Sequence, residues 1–238
     1  MTILYDIPLR VGMEEIILNQ GGDISKRKPN ERLVGLNQGF LKEVIAAAKP
    51  AAIYDVYKVE RVTGDRIYLG PKDYFESKVL TNFMGENVRE LVLCAYTVGK
   101  EIDDLIADRN RDGSGYDSFL LDGVANAALG SVGRYVISKV ADYAREQGFD
   151  ASTHVSPGQA DWGVEQQKVL FRLLPAEKIG ISLNDKNLMF PLKSTTVVIG
   201  IGEGVTKSEE GSACDYCKLN ATCPQRKVRK YFLDRLPT

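Results

Sequence analysis

The chain has one histidine and one tryptophan in 238 residues, and that scarcity excludes a good deal. A single histidine removes most nucleophile–base–orienter sets and the paired-histidine metal motifs. No Walker or EF-hand signature occurs either. No apolar run reaches the ~18–20 residues that span a bilayer. Charge of one sign is also missing: 31 Lys and Arg face 32 Asp and Glu, giving a net charge of −1. A near-neutral field draws neither nucleic acid nor an anionic membrane as main partner. Met1–Asp23 lacks the basic start, apolar core and small-residue cleavage site of an export signal. With only four cysteines, three of them crowded near the end, no disulfide framework is evident, and a reducing cytoplasm is the expectation.

What is present is an ordinary globular composition, 44% hydrophobic and 26% charged. Helical spacing marks Val11–Gln20, Glu31–Ala48 (inner face Leu33, Leu36, Phe40, Leu41, Val44 and Ile45), Tyr74–Phe83 and Lys100–Asp108. It also marks a long stretch, Tyr116–Gln147, whose Gly123, Gly130 and Gly133 point to close helix packing. The basic Ser25–Asn30, containing Pro29, is a connector. Ala52–Val62 and Arg66–Leu69 flank Thr63-Gly64-Asp65 as a β-hairpin. Glu90–Val98 reads as a buried strand, and Ile179–Leu183, Asn187–Phe190 and Thr195–Gly202 as further strands. Helices and strands do not alternate one to one. An α+β fold with a largely antiparallel sheet follows.

Two stretches carry chemistry. In THVSPGQADWGVEQQKVLFRLL, Ser156-Pro157-Gly158-Gln159 is a turn: Pro presets φ and Gly accepts a positive φ after it. Asp161 is placed to cap the helix that follows, whose inner stripe is Val164, Lys168, Phe171 and Leu173-Leu174, and Pro175 stops it. A rigid loop opening a helix presents free amides to a small polar or anionic ligand, and equally serves as a purely structural turn. The second stretch follows the charged linker Gly204–Gly211: Cys214-x2-Cys217-x5-Cys223, then Pro. That spacing suits an iron–sulfur cluster or zinc, with a fourth ligand drawn from Cys94, His154, Asp215 or elsewhere; three reduced surface thiols is the other reading. Basic Lys227–Lys230 would lie close to the thiolates.

SPGQADWGVEQQKVLFRLL resembles the loop–helix hallmark R-x-S-P-G-Y-x-D-W-P-x-x-x-Q of the activation, or S-adenosylmethionine-binding, domain of cobalamin-dependent methionine synthase. GISLNDKNLMFPLKSTTVVIGIG is similar to that family's G-x-x-L-x-x-x-x-M-x-P-x-K-S segment: Gly180 and Leu183 match its start and, after a gap one residue longer, Met189, Pro191, Lys193 and Ser194 match the rest. A weaker likeness runs through LCAYTVGKEIDDLI and FLLDGVANAAL, so the resemblance covers the chain from about Val11 onward. It implies a twisted antiparallel sheet flanked by helices, expected over residues 1–203; the charge and cysteine pattern mark 204–238 as a linker and cysteine-rich tail. It implies S-adenosylmethionine at His154, Ser156, Pro157, Gly158, Gln159 and Asp161. The hallmark Arg falls at His154 and the hallmark Tyr at Gln159, so two polar determinants are replaced. No corrinoid-binding D-x-H-x-x-G is present, since the one His is followed by Val155-Ser156-Pro157-Gly158. The resemblance therefore implies an accessory protein for reductive reactivation or methylation of cobalamin held by a separate corrinoid protein or cobalamin-dependent methyltransferase. The alternative is a metal- or iron–sulfur-bearing protein that reuses the fold without methyl transfer.

Overall fold

Leu91, Leu93 and Ala95 point to one side of a central strand, and Val92, Cys94 and Tyr96 to the other; all six are buried. A strand covered on both faces reads as a continuous apolar run, which is how Glu90–Val98 looks in sequence. The computed structural model describes residues 1–23, 26–207, 210–223 and 225–236. Ser25 of the expected connector, residues 208 and 209 of the expected linker, and Pro224 after the last cysteine lie outside them.

In chain order the first half contains β1 (Thr2–Tyr5), α1 (Met13–Asn19), α2 (Glu31–Ala47), β2 (Ala51–Lys58), β3 (Arg61–Thr63), β4 (Arg66–Tyr68), β5 (Tyr74–Glu76), α3 (Lys78–Met84) and β6 (Val88–Thr97). Then come α4 (Lys100–Arg111), α5 (Gly115–Glu146), β7 (Asp150–Ala151), α6 (Gln167–Leu173), β8 (Ser182–Leu183), β9 (Met189–Phe190), β10 (Ser194–Gly202) and α7 (Gln225–Leu233). The main sheet has the order β1-β2-β6-β10-β7 and every pairing is antiparallel, as the α+β reading requires.

The sheet separates two cores. On one face Ala52, Val92, Cys94, Tyr96, Val197 and Ile199 pack against helices through Ile16, Phe40, Val44, Ile102, Val132 and Phe232. On the other, Ile53, Leu93 and Val198 meet Phe75, Leu80, Phe83, Trp162 and Leu170. The glycines of α5 do what their density implies. A Cβ at Gly133 would stand 2.6 Å from the Tyr96 hydroxyl, so only glycine lets α5 lie this close to the sheet. Among the described residues no helix is long and apolar enough to cross a membrane.

Several sequence expectations change; the expected strand Ile179–Leu183, for one, is strand only at Ser182–Leu183, with Ile179 ending a 3-10 turn. Tyr74–Phe83 is not one helix: Tyr74–Glu76 pairs with β4, and the helix starts at Lys78 because the Ser77 hydroxyl caps it, accepting from the Leu80 amide at 3.1 Å. Ala52–Val62 is two strands. β2 stays in the main sheet, whereas β3 and β4 form the hairpin around Gly64, at φ 58°, within a small three-stranded sheet. Ile45, assigned to the inner face of its helix, is 52% exposed, while Phe40 and Val44 are buried.

Candidate functional site

The loop 152–162 is fastened to β10. Ser152 donates its amide to the Gly200 carbonyl, Val155 pairs with Val198, and the Ser156 hydroxyl donates to the Thr196 carbonyl at 2.6 Å. The turn forms as its residues dictate: the Gln159 amide donates to Ser156 at 3.0 Å and Gly158 takes φ 96°. Gln167 on α6 is buried and accepts from the Thr196 hydroxyl at 2.9 Å. The loop, the helix after it and β10 are thus one hydrogen-bonded unit.

The amides of Ser156, Gly158 and Gln159 are not free for a ligand. Ser156 donates to the Gln159 side chain, Gly158 to the Trp162 carbonyl at 2.7 Å, and Trp162 to Gln159 at 2.9 Å. The expectation of an open amide cradle fails because the turn consumes its own donors. Asp161 does not cap the helix after it, which opens with a 3-10 turn at Val164–Gln166 and has no side-chain cap. Its carboxylate instead accepts from the Ser77 hydroxyl at 3.2 Å and the Val79 amide at 3.3 Å, capping α3 from across the chain. The buried side of α6 is Gln167, Leu170 and Leu174; Val164 and Lys168, expected inside, are exposed.

Between the loop and α7 lies a cavity of about 390 Å³, within the usual range of small-molecule sites. His154, Ser156, Gly158 and Gln159 line it; Pro157 and Asp161 do not. Opposite stand Val228, Arg229 and Phe232 of α7, with Cys214 and Cys217 from the cysteine segment. Phe232 locks α7 down, with the His154 ring 5.2 Å away and the Arg134 guanidinium 5.5 Å from its own ring centre. Arg134 is itself held by both oxygens of buried Glu15, at 2.6 and 2.8 Å.

Arg229 is the cation of this cavity. Its Nη2 donates to the His154 carbonyl at 2.8 Å and its Nη1 abuts His154 Nε2. Burial, reinforced by that guanidinium, holds the His154 imidazole well below 6.5, so it is neutral and supplies no charge. Burial also lowers Arg229, to about 10, which leaves it protonated; Cys214 and Tyr96 oppose that shift. The sequence carries a signal for Arg229 that is easily passed over: Gln225, Val228, Arg229 and Phe232, all lining the cavity, sit at i, i+3, i+4 and i+7.

The thiols are split. Cys94 is fully buried in the sheet, its thiol pushed up by desolvation. Asp215 is engaged as the N3 partner of a capping box with Ser212, whose amide it accepts at 2.8 Å. Cys214 and Cys217 reach the cavity, and Cys223 is not among its lining residues. Among the described residues no three His, Cys, Asp or Glu side chains are gathered to hold a metal ion.

Compared with solved structures, the chain has the fold of the MetH reactivation domain, crystallised with AdoHcy (S-adenosylhomocysteine). The TM-score is 0.57 and the identity 14%, over 87% of this chain and 77% of that one. At this identity the likeness establishes the fold. No family model matches the chain, and no curated protein matches it in sequence.

Proposed function

We propose that this chain is an accessory protein of a cobalamin-dependent methyl-transfer system. It binds S-adenosylmethionine in the 390 Å³ cavity and presents the methyl donor to a corrinoid on a separate protein. The observation that carries the reading is the meeting of the two family-like sequence blocks at one cavity, where Thr195 and Val197 of the second block line it beside Ser156, Gly158 and Gln159 of the first; Ser156 and Gln167 are tied to Thr196. The neighbouring fold was solved with AdoHcy, which supports the same class of ligand here. The corrinoid would supply the hard chemistry; this chain's residues hold and orient the donor. In this proposal residues 1–203 are the α+β domain, 204–238 supply one wall of the site, and the free cysteines belong to a reducing cytoplasm. Calorimetric titration with S-adenosylhomocysteine tests the ligand half. Wild type should bind one equivalent, and Val228→Trp, which fills the cavity, should not bind while keeping the wild-type melting temperature. Absence of binding to the wild type overturns the reading.

The cysteines support a second proposal, that Cys214, Cys217 and Cys223 hold zinc or an iron–sulfur cluster. Its support is the C-x2-C-x5-C spacing and the shared wall formed by Cys214 and Cys217. Such a group would need to draw Cys223 towards the other two. Elemental analysis with an anaerobic absorption spectrum decides: zinc, or iron with sulfide, near one site per chain supports it. A metal-free protein unchanged by triple Cys→Ser substitution removes it.

A further inference from the structure

A guanidinium in a cavity wall normally faces a carboxylate, because a buried cation left unpaired costs several kcal/mol. Arg229 has none. Among the described residues no carboxylate lies within ion-pairing distance of it, and its only hydrogen-bond partners are the ring and carbonyl of His154. Its Nε is buried with no partner, and so is His154 Nδ1. The neighbouring Cys214 and Tyr96 favour its charge from a distance without pairing it. Neither the amides of Ser156, Gly158 and Gln159, which are used internally, nor the neutral His154 offers positive charge.

We propose that Arg229, carried on the C-terminal helix, is the residue that binds the carboxylate of the ligand in this cavity. The inference rests on the reading that the ligand is of the S-adenosylmethionine class, whose amino-acid end bears that carboxylate. The guanidinium fork matches a carboxylate in two-point geometry, and a partly buried setting strengthens the pair. His154 then acts as a positioning residue: its ring and carbonyl fix the direction in which the fork points. Phe232, packed on His154 one helical turn from Arg229, holds the helix in register. The site is therefore incomplete without the tail, and the cysteine segment at Cys214 lies directly beside its charged end.

The experiment is a calorimetric titration of wild type, Arg229→Gln and Arg229→Lys with S-adenosylhomocysteine and with 5′-methylthioadenosine, which keeps the adenosyl sulfur but has no carboxylate. Arg229→Gln should weaken S-adenosylhomocysteine about ten- to a hundredfold, the scale of a charged hydrogen-bonded contact. Arg229→Lys should fall between, and 5′-methylthioadenosine should change by less than about twofold. Equal binding of S-adenosylhomocysteine by wild type and Arg229→Gln overturns the inference and leaves the proposed function standing. No binding by the wild type overturns both. If Arg229→Gln does not fold, the wild type alone still decides: equal affinity for the two ligands refutes a carboxylate contact, and a preference of about tenfold or more for S-adenosylhomocysteine supports it.

Discussion

Arg229 rests its guanidinium on His154, donating to its carbonyl at 2.8 Å from 75 residues further along the chain. Burial first, and this cation second, keep the imidazole from taking a proton that it takes near 6.5 once unfolded. Below about 6.5 the unfolded state therefore binds more protons than the folded one, so stability falls as pH drops through that value towards the folded pKa. Above it this group contributes no slope. Urea denaturation between about pH 7 and pH 5 should show the loss in wild type. His154→Gln, which keeps an acceptor for Arg229, should lose less, the difference approaching at most about 1.4 kcal/mol per pH unit. Parallel profiles for the two proteins would show that His154 titrates freely.

The Asp161 carboxylate joins the hallmark loop to the start of α3. Removing it in Asp161→Ala leaves the Ser77 hydroxyl and the Val79 amide without that acceptor. The cost should be about 1 kcal/mol in urea unfolding, with Asp161→Asn losing roughly half, because an amide oxygen still accepts. An alanine variant as stable as wild type would mean that this cap contributes nothing.

Thr196 and Gln167 form a buried side-chain pair at 2.9 Å that binds α6 to β10. Thr196→Val keeps the shape and strands the glutamine oxygen, and should cost about 1–3 kcal/mol. Adding Gln167→Leu should recover part of that loss, since an apolar pair leaves nothing unpaired. A valine variant within about 0.5 kcal/mol of wild type would argue that Gln167 finds another partner.

Much of the fold was legible because local pattern and tertiary environment agreed. β6 is apolar from Leu91 to Tyr96 because both its faces are covered there, and α5 repeats at threes and fours because one side lies on the sheet. The turn at Pro157-Gly158 formed for the reasons its residues give. What escaped the sequence depends on distant partners. Tyr74–Glu76 is a strand only because β4 lies beside it, and Asp161 turns away from its own helix because Ser77 and Val79 offer donors 84 and 82 residues back. Four of six expected ligand residues line one cavity, yet its cation comes from a basic stretch that reads, in isolation, as a neighbour of the thiols. Nothing local to Arg229 states that His154 will be waiting.

The proposed delivery of a methyl donor by this chain to another protein's corrinoid is read directly by the cobalt spectrum. Candidate corrinoid proteins, held as cob(II)alamin with a low-potential reductant and S-adenosylmethionine, would be followed with and without this protein. Conversion to the methylcobalamin spectrum should be accelerated by wild type and not by Val228→Trp. No complex and no change in the cob(II)alamin signal with any candidate would contradict it.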